Sequence, residues 1–548
     1  MMITKNFKLS SRHQLFILLI LAFCLYANTL FNDYALDDIT VLTGNSIVQK
    51  GISGIPQILT TGFFHGTIES DFQGGRYRPV VLVIFALEHQ FFGTNPIVSH
   101  LINLVLFMFL ITLLFKLLKT HIFREQHYYL AFITCLFFIV HPIHTEVVAN
   151  VKSRDELITF LFLLVSGLSF IKYFEKKKYF SLAVGLFCFL LALLTRESAV
   201  PFIVIVPLIL YFFYKQTIKK SILFSLPLFA VFAIYMVIRI AVVGFSNSVN
   251  SDIQNAPFLL ATTTQAFATK VFILTKYLSL LVSPYPLSYD YGYNQIPYIN
   301  VLSVPFFLSS LLLIGLFGYA IFTFTKRSVF SFCIFYFFIT IFLFSNFLID
   351  IGAPIAERLL FQPSLALCIV LATLFLKGFT KFKVLASSLM VAVLFLFSTK
   401  TISRNFEWKN SESLFLTDVI SAPNSIRANL YASDAYAVKA GTETNGKLKN
   451  EFLNNAEAFY SFSCKLDPTG SVSKQGTNQL TNFYYNEGNK SFKTGNVEAA
   501  ILNYKKSLTF NKNNVDAWYN LTKSYLKIND TSNATKAWQM KLKSENNL

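Results

Sequence analysis

Apolar runs long enough to cross a bilayer recur from residue 14 to about residue 400 and then stop. A span needs on the order of 20 mostly apolar residues. Inside lipid the backbone must satisfy its own hydrogen bonds, so such a chain folds as packed helices. Polar punctuation places them near 14–31, 97–118, 128–142, 157–174, 179–195, 199–214, 221–243, 304–325, 328–347, 356–376 and 383–399, about eleven spans. After residue 400 the composition turns polar. The expected architecture is all-α: a polytopic membrane bundle over 1–400, a linker over 401–423, and a helical solenoid over 424–548.

Two further apolar stretches read differently. Residues 78–93 carry Glu88 and His89, and residues 258–283 carry Lys270 and Lys276. Counting either as a lone span would invert the basic loops that follow. Both therefore read as helices lying on the outer surface, with a re-entrant hairpin as the alternative for the second.

A net charge of +18 would suit a nucleic-acid binder, but its placement argues for a membrane protein. Basic clusters occupy alternate loops: Lys116/Lys119/Arg124, Lys172 with Lys176 to Lys178, Lys215/Lys219/Lys220, Lys326/Arg327 and Lys377/Lys381/Lys383. That is the positive-inside pattern. These loops and a Lys5/Lys8/Arg12 tail read as cytoplasmic, and residues 14–31 as an uncleaved signal anchor. An odd number of spans then puts the C-terminal part on the other side. Five of the six cysteines lie in apolar segments, so no disulfide framework is expected.

With this topology the outer loops collect Asp37, Asp38, Glu69, Asp71, Glu88, Glu146, Asp155, Glu197 and Glu357, together with Arg78, His141, His144, Lys152, Arg154, Arg196 and Arg358. Mixed signs on several short loops at a membrane edge indicate a site rather than a solvated rim. Each residue also has a plainer reading. Asp37-Asp38 suits a helix N-cap, and each arginine could snorkel to the headgroups. His141 and His144 with Glu146 are a weak metal signal, since Pro142 favours a turn there. Polar contacts to a substrate are the preferred reading. A divalent cation shared with Asp37 and Asp38 stays open, and no metal ligand is assigned.

Beyond residue 423 a repeat emerges. Tyr484, Gly488, Ala500 and Tyr504 are followed 34 residues later by Trp518, Thr522, Ala534 and Trp538. That period and residue pattern match the tetratricopeptide repeat. Ala456, Tyr460 and Pro468 mark the end of an earlier unit, and three units suffice for a short solenoid.

The ordered motifs are Asp37-Asp38, Tyr77-Arg78-Pro79, His141-Pro-Ile-His144-Thr-Glu146 running on to Arg154-Asp155, Thr195-Arg196-Glu197, and Ala356-Glu357-Arg358 followed by Gln362-Pro363-Ser364. With the repeats behind them, they resemble the transmembrane and tetratricopeptide-repeat family of protein O-mannosyltransferases, which belongs to the GT-C class of polyprenyl-phosphate-sugar glycosyltransferases. The resemblance implies transfer of a sugar, mannose above all, from a polyprenyl phosphate to Ser or Thr hydroxyls on the outer face. It implies an acidic general base in the first outer loop, Asp38 or Asp37, with Asp38 preferred. Arginines would bind the donor phosphate, because a planar guanidinium meets phosphate oxygens bidentately. The candidates, in order, are Arg154, Arg358, Arg196 and Arg78. His141, His144, Glu146, Asp155 and Glu357 would contact substrate. The repeats would present a protein acceptor. Separately, the Phe-, Asn-, Lys- and Ile-rich composition without a disulfide framework suits a bacterial inner membrane with the repeats in the periplasm; for a eukaryotic source the location is an ER membrane with the repeats in the lumen. Two rivals remain: a membrane-anchored repeat scaffold without catalysis, and a GT-C enzyme acting on a lipid or polysaccharide.

Overall fold

The computed structural model describes residues 9–67, 75–244 and 252–545. Lys5, Lys8, Glu69 and Asp71 lie outside the described residues. The described chain is helical, without a strand. In order the helices are α1 (Ser11–Tyr26), α2 (Ile55–Thr60), α3 (Pro79–Phe92), α4 (Pro96–Leu117), α5 (Leu130–Val140), α6 (Thr145–Ala149), α7 (Arg154–Lys176) and α8 (Tyr179–Thr195). Next come α9 (Phe202–Phe213), α10 (Ile218–Val243), α11 (Thr263–Val282), α12 (Val304–Phe322), α13 (Val329–Phe342), α14 (Ser364–Lys381), α15 (Lys383–Glu407) and α16 (Ser411–Ser421). The repeats hold α17 (Ile426–Thr442), α18 (Gly446–Leu466), α19 (Ser471–Gln475), α20 (Asn478–Lys493), α21 (Val497–Phe510), α22 (Val515–Lys527) and α23 (Thr531–Glu545).

Among the described residues eight helices are long and apolar enough to cross a bilayer, or nine if the bent pair α5–α6 counts as one. The bend is 60° and falls at Pro142, which cannot continue the hydrogen-bond ladder of α5. Shorter apolar helices account for 179–195, 197–213 and 329–342. Every expected span is therefore a helix, although the one read from residue 356 begins at Ser364, just after Pro363. Rim helices α10, α12 and α15 expose Leu223, Val237, Leu311, Ile314, Val384 and Phe395, as lipid-facing surfaces do.

The two ends of the bundle differ in chemistry. At one end the basic turns meet: Arg124 pairs with Glu175 at 3.3 Å, Lys215 with Glu125 at 3.0 Å, and Arg327 donates to Gln216 O at 3.1 Å. Leu9 O joins them by accepting from the Tyr128 hydroxyl. At the other end lie the acid turn, the His-rich turn and the Ala356-Glu357-Arg358 turn.

The stretch 258–283 holds one long apolar helix. Its helix α11 meets the same length and composition test as the spans. Such a helix is about 30 Å long and would separate its flanks by the full bilayer core. Yet both flanks meet at one residue. Arg427 donates to Gln254 O at 2.8 Å and Asn255 Oδ1 at 2.9 Å, and pairs with Asp290 at 3.2 Å. The chain enters and leaves α11 at the same end of the bundle. Helix α3 is too short to cross and runs over that end too, with Arg78 at its start on Asp155 and Glu88 near its finish on Arg154.

The polar part consists of three helix pairs, α17–α18, α20–α21 and α22–α23. Gly488 is required by its neighbour, since a Cβ there would lie 2.6 Å from Tyr504 Cε1. The stretch 401–423 is helical, being the end of α15 and all of α16. Ile253, on the loop before α11, is wholly buried in the repeat core with Leu480 and Tyr460.

Candidate active site

The acid turn leaves α1 and folds back on itself. Asp38 Oδ2 accepts from Ala35 N at 3.1 Å, and Asp38 N donates to Ala35 O at 3.1 Å. Closing so tight a turn forces Leu36 to φ +53°. That left-handed conformation costs a residue with a Cβ roughly 1–2 kcal/mol. Its effect is to send two adjacent carboxylates in different directions. Asp38 points inward, fully buried, with Oδ1 accepting from Lys152 N at 2.6 Å. Burial pushes it up to about 7 despite these amides. Asp37 points outward with 48% of its side chain exposed, 3.2 Å from Lys152 Nζ. Burial on its inner side acts to raise Asp37, but Lys152 and Arg358 outweigh it and hold the carboxyl below its ordinary value. Lys152 itself is buried, and burial lowers it.

The candidate arginines fall into two groups. Arg154 is fully buried and turned away from Asp37. Its Nε donates to Asn103 Oδ1 at 2.6 Å, Nη2 to Ser99 O at 2.9 Å, and Nη1 pairs with Glu88, over the face of Phe85. The other three converge near the acid turn. Arg78 and Arg196 share Asp155 at 3.0 and 2.6 Å, and reach Glu197 and Glu156 at 2.6 and 2.8 Å. Arg358 donates twice to Glu146, from N at 2.8 Å and from Nη1 at 2.5 Å. Its side chain is 23% exposed, and its Nε is buried without a hydrogen-bond partner. Arg76 joins this group. Burial, then Arg78, Arg196 and Arg358, push it down to about 10, with Glu197 opposing. Burial leads this lowering, and the neighbouring arginines, themselves paired with carboxylates, add to it.

The histidines are buried among rings. His141 Nε2 donates to Leu281 O at 2.9 Å while Nδ1 accepts from Ile143 N. His144 Nε2 donates to Ser364 Oγ at 2.7 Å, since that hydroxyl gives its own proton to Phe361 O. Phe138 and Phe361 enclose the His144 ring at 4.2 and 4.9 Å. Among the described residues no three His, Cys, Asp or Glu side chains converge as metal ligands would. Glu357 is also buried. Its Oε1 accepts from Ser288 N and the Tyr291 hydroxyl, its Oε2 has no hydrogen-bond partner, and burial pushes it up to about 8.

The site end thus brings Asp37, Glu146, Asp155, Arg78, Arg196 and Arg358 together. Asp38, Arg154, His141, His144 and Glu357 are buried on other partners, Glu146, Asp155, Arg78 and Arg196 are buried in their ion pairs, and of the named residues Asp37 and Arg358 are partly exposed. Sequence reading passed over Lys152 and Arg76 as partners of Asp37. The Arg76-Tyr-Arg78 doublet is the signal that could have found the second. It also missed Arg404, fully buried on Asp418, whose other oxygen accepts from Tyr289 N at 2.6 Å. An arginine just past the last apolar run looks like ordinary basic punctuation.

Comparison with known proteins gives this arrangement relatives. A family model described as TPR repeat matches residues 488–529. The chain is similar to Protein O-mannosyl-transferase F38B6.6 of Caenorhabditis elegans, 27% identical over 463 residues, 83% of this chain and 63% of that protein. Its homologues are transmembrane and tetratricopeptide-repeat O-mannosyltransferases. Human Protein O-mannosyl-transferase TMTC3 is 22% identical over 613 residues, covering 93% of this chain and 66% of its own length. Human TMTC1 is 24% identical over 457 residues, 74% of this chain and 51% of its own. The chain spans less than two thirds of the length of these relatives. The resemblance drawn from the ordered motifs is borne out, and so is the all-α fold ending in repeats.

Proposed function

We propose that the chain is an integral-membrane glycosyltransferase that moves mannose from a polyprenyl phosphate to Ser or Thr hydroxyls of a polypeptide. One observation carries this reading: Asp37 is a half-exposed carboxylate, held below its ordinary value by Lys152 and Arg358, at the edge of a network of paired arginines and carboxylates at one end of the bundle. The names of the homologues supply the chemistry. A hydroxyl is a poor nucleophile, and a positioned base contributes ~10²–10⁴-fold.

Asp37 takes the proton as the hydroxyl oxygen bonds to the sugar's anomeric carbon. The bond from that carbon to the phosphate oxygen breaks, and its electron pair stays on the phosphate. Arg358, partly exposed and close enough to hold Asp37 down, receives the charge, with Arg196, Arg78 and Arg76 adding to the positive field. Asp38 and Arg154 act as supports, holding the turn and the base of α7.

The lipid tail has a place in this reading. An apolar groove of about 490 Å³ runs between α9, α10, α12 and α13, lined by Val204, Phe229, Phe317, Phe338 and Phe342. It includes Val200 and Pro201, four and five positions beyond Arg196. The clustered basic turns at the far end support a cytoplasmic assignment there. The site would then face the outer side, periplasm or lumen, with the repeats over it as an acceptor-binding surface.

The test is sugar transfer in detergent from radiolabelled polyprenyl-phosphate mannose to a Ser/Thr-rich peptide. Wild-type protein should transfer and Asp37→Asn should not. Equal transfer by both proteins, or none by folded wild type, overturns the reading.

A further inference from the structure

The acid turn is held from outside the membrane bundle. Leu36 N donates to Ser411 Oγ at 3.0 Å, and Asp33 N donates to Lys409 O at 2.8 Å. One residue further back, Asn32 Nδ2 donates to Asn405 O and Trp408 O. Ala35 and Leu36 pack into one cluster with Trp408, Leu414, Phe415 and Tyr431. These partners lie at the end of α15, on α16 and on α17, the first helix of the repeats.

Ser411 is free for this task. The first turn of α16 is capped by Asn410, whose side chain accepts from Ser413 N at 2.9 Å while Ser413 Oγ accepts from Asn410 N. The Ser411 hydroxyl is not needed by its own helix. It meets the one amide of the acid turn that belongs to a left-handed residue, and the direction of Asp37 follows from that residue's backbone.

We infer that Ser411 is a positioning residue for Asp37, so that the helix joining bundle to repeats is a working part of the active site. The inference rests on Asp37 being the base, but the hold of Ser411 on the turn can be measured without any activity. Loss of the hydroxyl frees Leu36 to relax toward a conformation that suits its Cβ, and Asp37 swings with it. Glycine at 36 accepts the left-handed conformation without strain, so it removes the need for Ser411.

The experiment uses the full chain in detergent. Hydrogen exchange read by mass spectrometry compares wild type, Ser411→Ala, Leu36→Gly and the double variant. In Ser411→Ala, exchange over residues 33–40 rises about tenfold, as loss of one net hydrogen bond gives, while α16 and α17 keep wild-type protection. In the Leu36→Gly background the same change has little effect. Unchanged exchange over 33–40, or a rise spread equally through α16 and α17, overturns the inference. In the transfer assay Ser411→Ala lowers kcat about tenfold, as a misplaced catalytic group does, leaves KM for the peptide unchanged, and is rescued by Ser411→Thr. A wild type that transfers nothing sinks the transferase reading alone, and the exchange result still decides the role of Ser411.

Discussion

Arg358 closes on Glu146 with both its backbone and its side chain, across 212 positions of sequence. The same two turns are joined again where His144 donates to Ser364. The His-rich turn ends a bent apolar helix and the other turn opens a straight one, so the pair pins two helices at the site end. The partly exposed side chain of Arg358 still looks outward from this clamp.

Arg358→Ala should raise KM for the lipid-linked donor by tenfold or more, on the order of one charge-assisted hydrogen bond. Arg358→Lys should fall between, since an ammonium keeps the charge and loses the fork. Initial rates against donor concentration check this; an unchanged KM in Arg358→Ala would remove Arg358 from the phosphate site.

The two aspartates should separate chemistry from folding. Asp37→Asn keeps the fold and loses transfer, because an amide cannot take a proton. Asp38→Asn should lower thermal stability instead, because one carboxylate oxygen that accepts from a backbone N–H, of Ala35 or Lys152, is replaced by an NH₂ that can only donate. Unfolding temperature and turnover measured side by side decide it, and the reverse pattern would return the base to Asp38.

Glu88→Leu strands the fully buried Arg154 without its carboxylate. Leaving one partner of a buried pair alone typically costs ~3–5 kcal/mol. The expected result is a marked fall in folded yield and unfolding temperature. A stable variant with a weaker donor KM would mean that Arg154 serves the phosphate after all.

Glu357 gives stability a pH dependence of known sign. Its carboxyl is raised from an ordinary 4.5 to about 8 by burial. Between those values the folded chain holds a proton that the unfolded chain has lost, so this contribution is complete below 4.5 and is lost as pH rises through 8. Unfolding temperatures taken below, within and above that window should fall more steeply for wild type than for Glu357→Gln. Parallel curves would show that Glu357 ionises normally.

Gly488→Ala puts a methyl carbon into the ring of Tyr504. Overpacking of this kind costs ~1–3 kcal/mol. Limited proteolysis should cut within 478–545 sooner, with the cleavage pattern of the bundle unchanged.

How much could be read beforehand follows from what each feature depends on. Apolar runs and the 34-residue offset are local, and Tyr484, Gly488 and Tyr504 sit where the repeat requires. The pairing of the His-rich turn with the Ala356-Glu357-Arg358 turn was legible only as two motifs of one family. Which arginine looks outward was not legible. Arg154 precedes an apolar run and Arg196 follows one, and only convergence of α3, α4 and α7 decides that the first meets Glu88 and Asn103. The contrast between Asp37 and Asp38 hangs on one dihedral angle at Leu36, which neighbouring residue types do not announce. The order of the basic loops downstream kept α11 out of the count of spans, whereas its length and apolarity alone qualify it as one.

Ile253 belongs to the bundle by sequence and to the repeats by packing, wholly buried beside Leu480 and Tyr460. Burying an isoleucine contributes ~1.5–3 kcal/mol. The repeats therefore do not own a closed interior, because part of its filling is on loan from a loop some 170 residues upstream of α17. Severed at residue 424, they would carry an open apolar socket one side chain deep. Any search for their partners with the severed half would first find whatever fills that socket.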